Sequence, residues 1–198
     1  MEVYKDIMSD TEYFSNAKPI KPVTDGKEEE KVDGLVYVET SKVAVGGDAI
    51  DVGCGDAFGG AGEDEGVDDT VETVIDQLAA FPDINPEPVS YSSFKEFRDV
   101  YFKGYMKALQ GFKKMKGHFA TKEDQTAFQE RMKGIMEWIK ANFGEIDFYQ
   151  AAVPLATIVL DDGTEKEVPT SMVYARWEGA ATTPKFCYIM DAYRMEKF

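Results

Sequence analysis

The chain has 198 residues, 43% hydrophobic and 13% aromatic, which suits a folded body with a real core and argues against a disordered segment. Its 22 Lys/Arg against 37 Asp/Glu give a net charge of −15, and that balance argues against general nucleic-acid binding, because phosphate recognition needs clustered cations. No apolar run approaches the roughly 18 residues of a membrane helix, and the charged opening MEVYKDIMSD carries no signal-peptide pattern.

In chain order, Met1–Met8 shows short alternation and predicts a strand. Ser9 with Glu12 three positions later has capping-box spacing, so a turn of helix is expected through Glu12–Ser15. Lys18–Lys31 holds two prolines, a glycine and a Glu run and reads as an exposed connection. Val32–Val45 predicts two strands. Between Gly46 and Gly66 there are eight glycines and many acidic residues, a composition that cannot repay its ordering entropy, so a long mobile loop is expected. Thr70–Phe81 returns to β-branched and apolar residues and predicts a strand, ended by Pro82, Pro86 and Pro88.

Ser92–Asn142 is different in kind. Phe94, Phe97, Tyr101, Tyr105, Ala108, Phe112 and Met115 recur at helical spacing, and Phe128, Met132, Ile135, Ile139 and Phe143 repeat the pattern. Ser93 with Glu96 and Thr121 with Asp124 mark two helix starts, so two helices fold back on each other around Gly117–Thr121. This stretch carries 11 Lys/Arg against 6 Asp/Glu, about +5, while the remainder carries 11 against 31, about −20. Beyond it, Ile146–Tyr149, Ala151–Leu160, Met172–Trp177 and Lys185–Asp191 predict strands, with Asp162-Gly163 as a hairpin turn and Tyr193–Phe198 as a short charged end. The fold class is therefore α+β: a mainly antiparallel β-body (1–45, 70–81 and 146–198) carrying a helical hairpin (92–143) and a long loop (46–66), in one domain spanning 1–198.

Catalytic chemistry has no foothold. The one histidine, His118, lies in the turn between the helices, with neither a Ser-His-Asp nor a Cys-His arrangement around it. GCGDAFGG does not open a helix and is no phosphate loop. Cys54 and Cys187 are too few and too far apart for a disulfide framework or a zinc site, and fit a reducing cytosol. Glu63, Asp64, Glu65, Asp68 and Asp69 form a candidate weak calcium site, although the run does not match an EF-hand loop.

Several blocks point to a family. MEVYKDIMSDTEYFSN resembles the N-terminus of translationally controlled tumour proteins, and VGGDAIDVGCGDAFGGAGEDEGVDDTVETVIDQL resembles their Gly- and acid-rich loop with the strand after it. FRDVYFKGYMKAL and IMEWIKANFGEIDFY resemble parts of their helical hairpin, and TPKFCYIMDAYRMEKF resembles their C-terminus. The similarity runs through essentially the whole chain and marks a divergent member: Gly55-Asp-Ala-Phe58 replaces the usual loop signature.

The resemblance implies a β-tent with a helical hairpin and a mobile loop. It further implies a cytoplasmic, non-enzymatic growth and survival factor with many protein partners, associated with calcium and tubulin. The family fold also resembles chaperones of nucleotide-free GTPases, which implies contact with a small GTPase. Glu12 matches the N-terminal glutamate of that proposed contact surface. Its second part is a Gly-Glu pair after a Phe-Tyr strand; here Phe148-Tyr149 is followed by Gln150-Ala151-Ala152, leaving only the shifted Gly144-Glu145. The expected partners are thus proteins, with no nucleic acid, no membrane insertion and a monomeric chain. Lys103, Lys107, Lys113 and Lys114 of the basic arm are the expected docking residues for acidic partners such as tubulin tails.

Overall fold

A computed structural model of the chain describes residues 1–24, 31–45 and 72–198. The expected loop Gly46–Gly66 lies outside the described residues. In chain order the elements are β1 (Glu2–Asp6), β2 (Glu12–Ser15), β3 (Ile20–Thr24), β4 (Lys31–Glu39), β5 (Lys42–Val45), β6 (Glu72–Ile75), α1 (Asp76–Ala80), α2 (Phe94–Phe97), α3 (Lys103–Met115), α4 (Lys122–Ala141), β7 (Ile146–Gln150), β8 (Leu155–Val159), β9 (Glu165–Pro169), β10 (Met172–Arg176), β11 (Lys185–Ile189) and β12 (Tyr193–Lys197).

The central layer is an antiparallel sheet in the order β3-β4-β11-β10-β7. Its middle strands are buried on both faces. Met172 and Tyr174 of β10, with Cys187 and Ile189 of β11, face the helical hairpin; Val173, Ala175, Phe186 and Tyr188 face the other way. Strands covered on both sides need apolar residues at every position, so MVYAR and KFCYI read as continuous runs without alternation. Against the second face lies the sheet β12-β1-β2, which stacks Phe14 on Tyr188 at 4.1 Å and Tyr4 on Phe14 at 4.5 Å. The remaining two-stranded sheets are β5-β6 and β8-β9.

The hairpin covers the first face. A π-helical turn, Arg98–Phe102, joins α2 to α3. Its extra residue in the turn lets the consecutive residues Tyr101 and Phe102 both be buried, one toward the sheet and one toward α4. Phe97, Tyr105 and Leu109 from this arm and Phe128, Ile135 and Ile139 from α4 complete the stripe, each large side chain contributing about 1.5–3 kcal/mol by burial. The predicted starts are present. Ser93 Oγ accepts from the Glu96 amide at 3.2 Å, and Thr121 and Asp124 form a full capping box. The Glu96 carboxylate reaches back one residue further than expected, to the amide of Ser92 at 2.6 Å. Gly117, at φ 72°, ends α3 in a left-handed cap: its amide donates to Lys114 O and that of His118 to Lys113 O.

Three expectations are corrected. Glu12–Ser15 is strand β2, with no helical turn: the buried Asp6 carboxyl accepts from the amides of Met8 (2.6 Å) and Ser9 (3.1 Å) and closes a tight turn between β1 and β2. The connection Lys18–Lys31 contains β3, which adds an edge to the central sheet. Among the described residues of the run Thr70–Phe81, Glu72–Ile75 are strand; Asp76 then opens a short helix, and its carboxylate takes hydrogen bonds from Lys18 and Ser41. The charged end Tyr193–Phe198 supplies β12, paired along β1 from Glu2↔Lys197 to Asp6↔Tyr193.

Asp6 also accepts from the Ser171 amide at 2.8 Å and is wholly buried. Asp6→Ala would leave up to three enclosed or half-enclosed amides unpaired, and urea unfolding should show a loss of about 3 kcal/mol. Asp6→Asn keeps one acceptor oxygen and should lose less; equal stability for wild type and the alanine variant would contradict the assignment.

Candidate functional site

The basic arm divides into an inner and an outer set of cations. Asp191, in the 3₁₀ turn Met190–Ala192 between β11 and β12, accepts from Lys113 Nζ at 2.6 Å and from Arg131 Nε and Nη2 at 2.8 and 3.0 Å. One carboxylate therefore holds α3 and α4 to the β-body at once. Lys113 also donates to the Asp191 carbonyl and stands 5.3 Å over the Phe128 ring. Gly34, at φ 77°, makes room: an added Cβ would lie 3.2 Å from Arg131 Cδ. Burial opposes ionisation of Asp191, but hydrogen bonds and charge from Arg131 and Lys113 outweigh it and hold the carboxyl below its ordinary range.

Lys113 is accordingly removed from the expected docking set; its side chain is only 12% exposed and its charge is spent inside the protein. Lys103, Lys107 and Lys114 do lie on the outside of the arm. Lys103 pairs with Asp99 at 2.8 Å, a carboxylate shared with Arg98, so this trio keeps one net positive charge. Lys107 and Lys114 have no ion-pair partner among the described residues. Two exposed lysines of α4 that the sequence reading passed over, Lys133 and Lys140, extend the outer set. Their spacing was the available signal: seven apart, they share one helix flank, while Glu130 and Glu137 share another.

The other predicted residues are scattered. Glu12 lies on β2, an edge strand of its sheet, with its carboxylate 3.2 Å from Lys5 Nζ and its side chain 43% exposed. The neighbouring Tyr13 donates its hydroxyl to Ser171 O, just before β10 begins. Glu145 faces Arg176, the last residue of β10, at 3.7 Å. Gly144-Glu145 and the Glu12 region thus contact opposite ends of a strand of five residues, about 16 Å of extended chain, and are not brought together. Glu63, Asp64, Glu65, Asp68, Asp69 and Cys54 lie outside the described residues. Among the described residues, no cluster of three or more His, Cys, Asp and Glu is placed to hold a metal ion. His118 is exposed in its turn. Cys187 is buried, and burial pushes its thiol up to about 12, so the thiolate needed for oxidation or exchange is not formed at neutral pH. No described helix is long and apolar enough to cross a membrane.

The class of protein is set by these features: an α+β body of layered antiparallel sheets from which a clamped, basic helical hairpin presents its outer face. Comparison with known proteins gives the family. A family model for translationally controlled tumour protein matches residues 1–193. Curated homologues of that protein are 30% identical in Alternaria alternata, over 75% of this chain and 78% of theirs, and 28% identical in Schizosaccharomyces pombe, over 88% and 94%. Among solved structures, the translationally controlled tumor-associated protein of Schizosaccharomyces pombe is 25% identical with a TM-score of 0.65, each chain covered completely. The fold also matches that of the translationally-controlled tumor protein of Caenorhabditis elegans at a TM-score of 0.57 and 23% identity, covering 100% of this chain and 99% of the other. This chain belongs to the translationally controlled tumour protein family.

The clamp has a pH signature. Since the folded pKa of Asp191 is depressed, its stabilisation is complete above the unfolded value of about 3.9 and fades as pH falls through the folded value. Asp191→Asn should cost about 2 kcal/mol at neutral pH, less than a fully enclosed pair because Arg131 is partly exposed, and the gap to wild type should close in acid. Chemical denaturation at pH 7 and pH 3 measures it (about four units apart); a gap independent of pH would refute the ionic clamp.

Proposed function

We propose that this chain is a non-enzymatic, multi-partner binding protein of the cytoplasm, whose basic helical arm docks acidic segments of other proteins, the acidic tails of tubulin among them. The observation that carries this reading is the outward placement of Lys103, Lys107 and Lys114 on an arm whose inner cations are already consumed by Asp191. Attraction between such a surface and an acidic tail acts over roughly 10 Å at 0.1 M salt and is screened beyond that. Co-sedimentation with microtubules at low ionic strength is the test. Lys103→Glu, Lys107→Glu and Lys114→Glu together should reduce the bound fraction several-fold, and raising the salt should do the same to wild type. Sedimentation indifferent to both changes defeats the reading.

A second reading, regulation of a small GTPase through Glu12, draws support from one correction. No helix follows Ser9, so a capping role does not account for Glu12, and its carboxylate remains half-exposed on an edge strand. Glu12→Val removes the surface carboxylate while leaving β2 to pair as before. In a nucleotide-release assay with the cognate GTPase, wild type should accelerate release and the variant should not. Equal rates with wild type, variant and no added protein would end this reading.

A further inference from the structure

The solvent side of the seam between α3 and α4 is not closed by apolar packing. It forms a shallow groove of about 300 Å³. Its floor is Phe102, Phe128 and Met132, all buried, and its walls are the half-buried Met106 and Met136. Lys103 rims it on α3 and Lys133 on α4. Lys140 continues the α4 rim at helical spacing, whereas Glu130 and Glu137 lie on the other flank of α4, in the cleft toward Lys31 and Val32 of β4. Glu130 and Glu137 thus lie outside the groove, and the two charged residues that line it, Lys103 and Lys133, are both cations.

We infer that this groove takes one face of an acidic amphipathic helix from a partner protein. The inference rests on the reading of the arm as a docking surface and adds which part of the arm is engaged and by what. Three arguments fix the occupant. Unbranched, polarisable methionine walls adapt to varied apolar side chains, as a surface serving several partners requires. The stretch Lys103–Gln110 that lines α3's side is about 10 Å long, the length of about two helical turns, which suits anchors at spacings of three, four and seven. Lysines on both rims select carboxylates flanking those anchors and disfavour a basic helix. An extended acidic tail alone would meet the lysines and leave the methionines untouched.

The test uses the full chain and two labelled peptides of equal negative charge, one Glu-rich without apolar residues, the other helical with Leu at helical spacing among its glutamates. Burying two or three leucines should make the helical peptide bind at least about tenfold more tightly by fluorescence anisotropy. Its addition should shift the methyl resonances of Met106, Met132 and Met136 in ¹³C-methyl-methionine spectra of the wild-type protein, a readout that needs no variant. Met106→Ser with Met136→Ser should bring the helical peptide down to the affinity of the Glu-rich one and leave the latter unchanged. Equal binding of both peptides to wild type, or methyl shifts confined to other methionines, overturns the groove while the basic arm stands. Binding of neither peptide overturns both.

Discussion

Between β9 and β10 the backbone of Thr170 and Ser171 is fully enclosed, and polar groups shut away from water must be satisfied by the protein itself. Each of the two covering layers supplies partners. From the N-terminal sheet, Asp6 accepts from the Ser171 amide and Tyr13 donates to the Ser171 carbonyl at 2.6 Å. From the hairpin, Tyr101 donates to Thr170 O and Tyr105 meets Ser171 Oγ, both at 2.8 Å. Burial pushes the hydroxyls of Tyr13, Tyr101 and Tyr105 far above their ordinary range, so at physiological pH they stay protonated and able to donate. The central sheet thus reaches both covering layers through two consecutive residues, and a change there disturbs more than one layer.

That junction also explains what could and could not be read along the chain. The hairpin was legible because a helix is local: its apolar period, its caps at Ser93 and Thr121 and its glycine stop are all encoded within a few residues of where they act. Ser9 and Glu12 carry an equally good local signal, yet a strand forms there. The Asp6 carboxyl takes the Met8 and Ser9 amides into a tight turn instead, and it is itself buried against the Ser171 amide 165 positions away, a contact that leaves no periodic trace. The strand β12 was hidden for a related reason. Its residues are largely exposed and charged, and it is a strand because β1 offers an unpaired edge, not because YRMEK favours one.

The candidate site divides in the same way. That the arm is basic could be counted from composition, but which lysines face outward depends on Asp191, whose partners lie 78 and 60 positions earlier. In the sequence this residue is one acid within a tail-like segment. Lys113 and Lys114 are adjacent and chemically identical, and only the direction of their side chains from the helix separates a structural ion from a free one. Glu12 and Gly144-Glu145 show the converse: residues that a family surface would unite are held at different ends of the same strand.

Holding the arm and presenting it are therefore tasks of different charges. Lys113 and Arg131 point inward onto one carboxylate, which offsets one of their two charges and ties both side chains down. Of the outer lysines, Lys107 and Lys114 have no ion-pair partner among the described residues, and Lys103 shares Asp99 with Arg98, so the outer face keeps its positive charge. A bidentate guanidinium and a second cation on Asp191, the latter over the buried Phe128 ring, fix the relation of both helices to the body. Association with a surface of that kind sacrifices little of the arm's own freedom, so more of the interaction energy appears as affinity. On the proposed reading, the net negative charge of the remainder of the chain would disfavour contact of an acidic partner away from the arm.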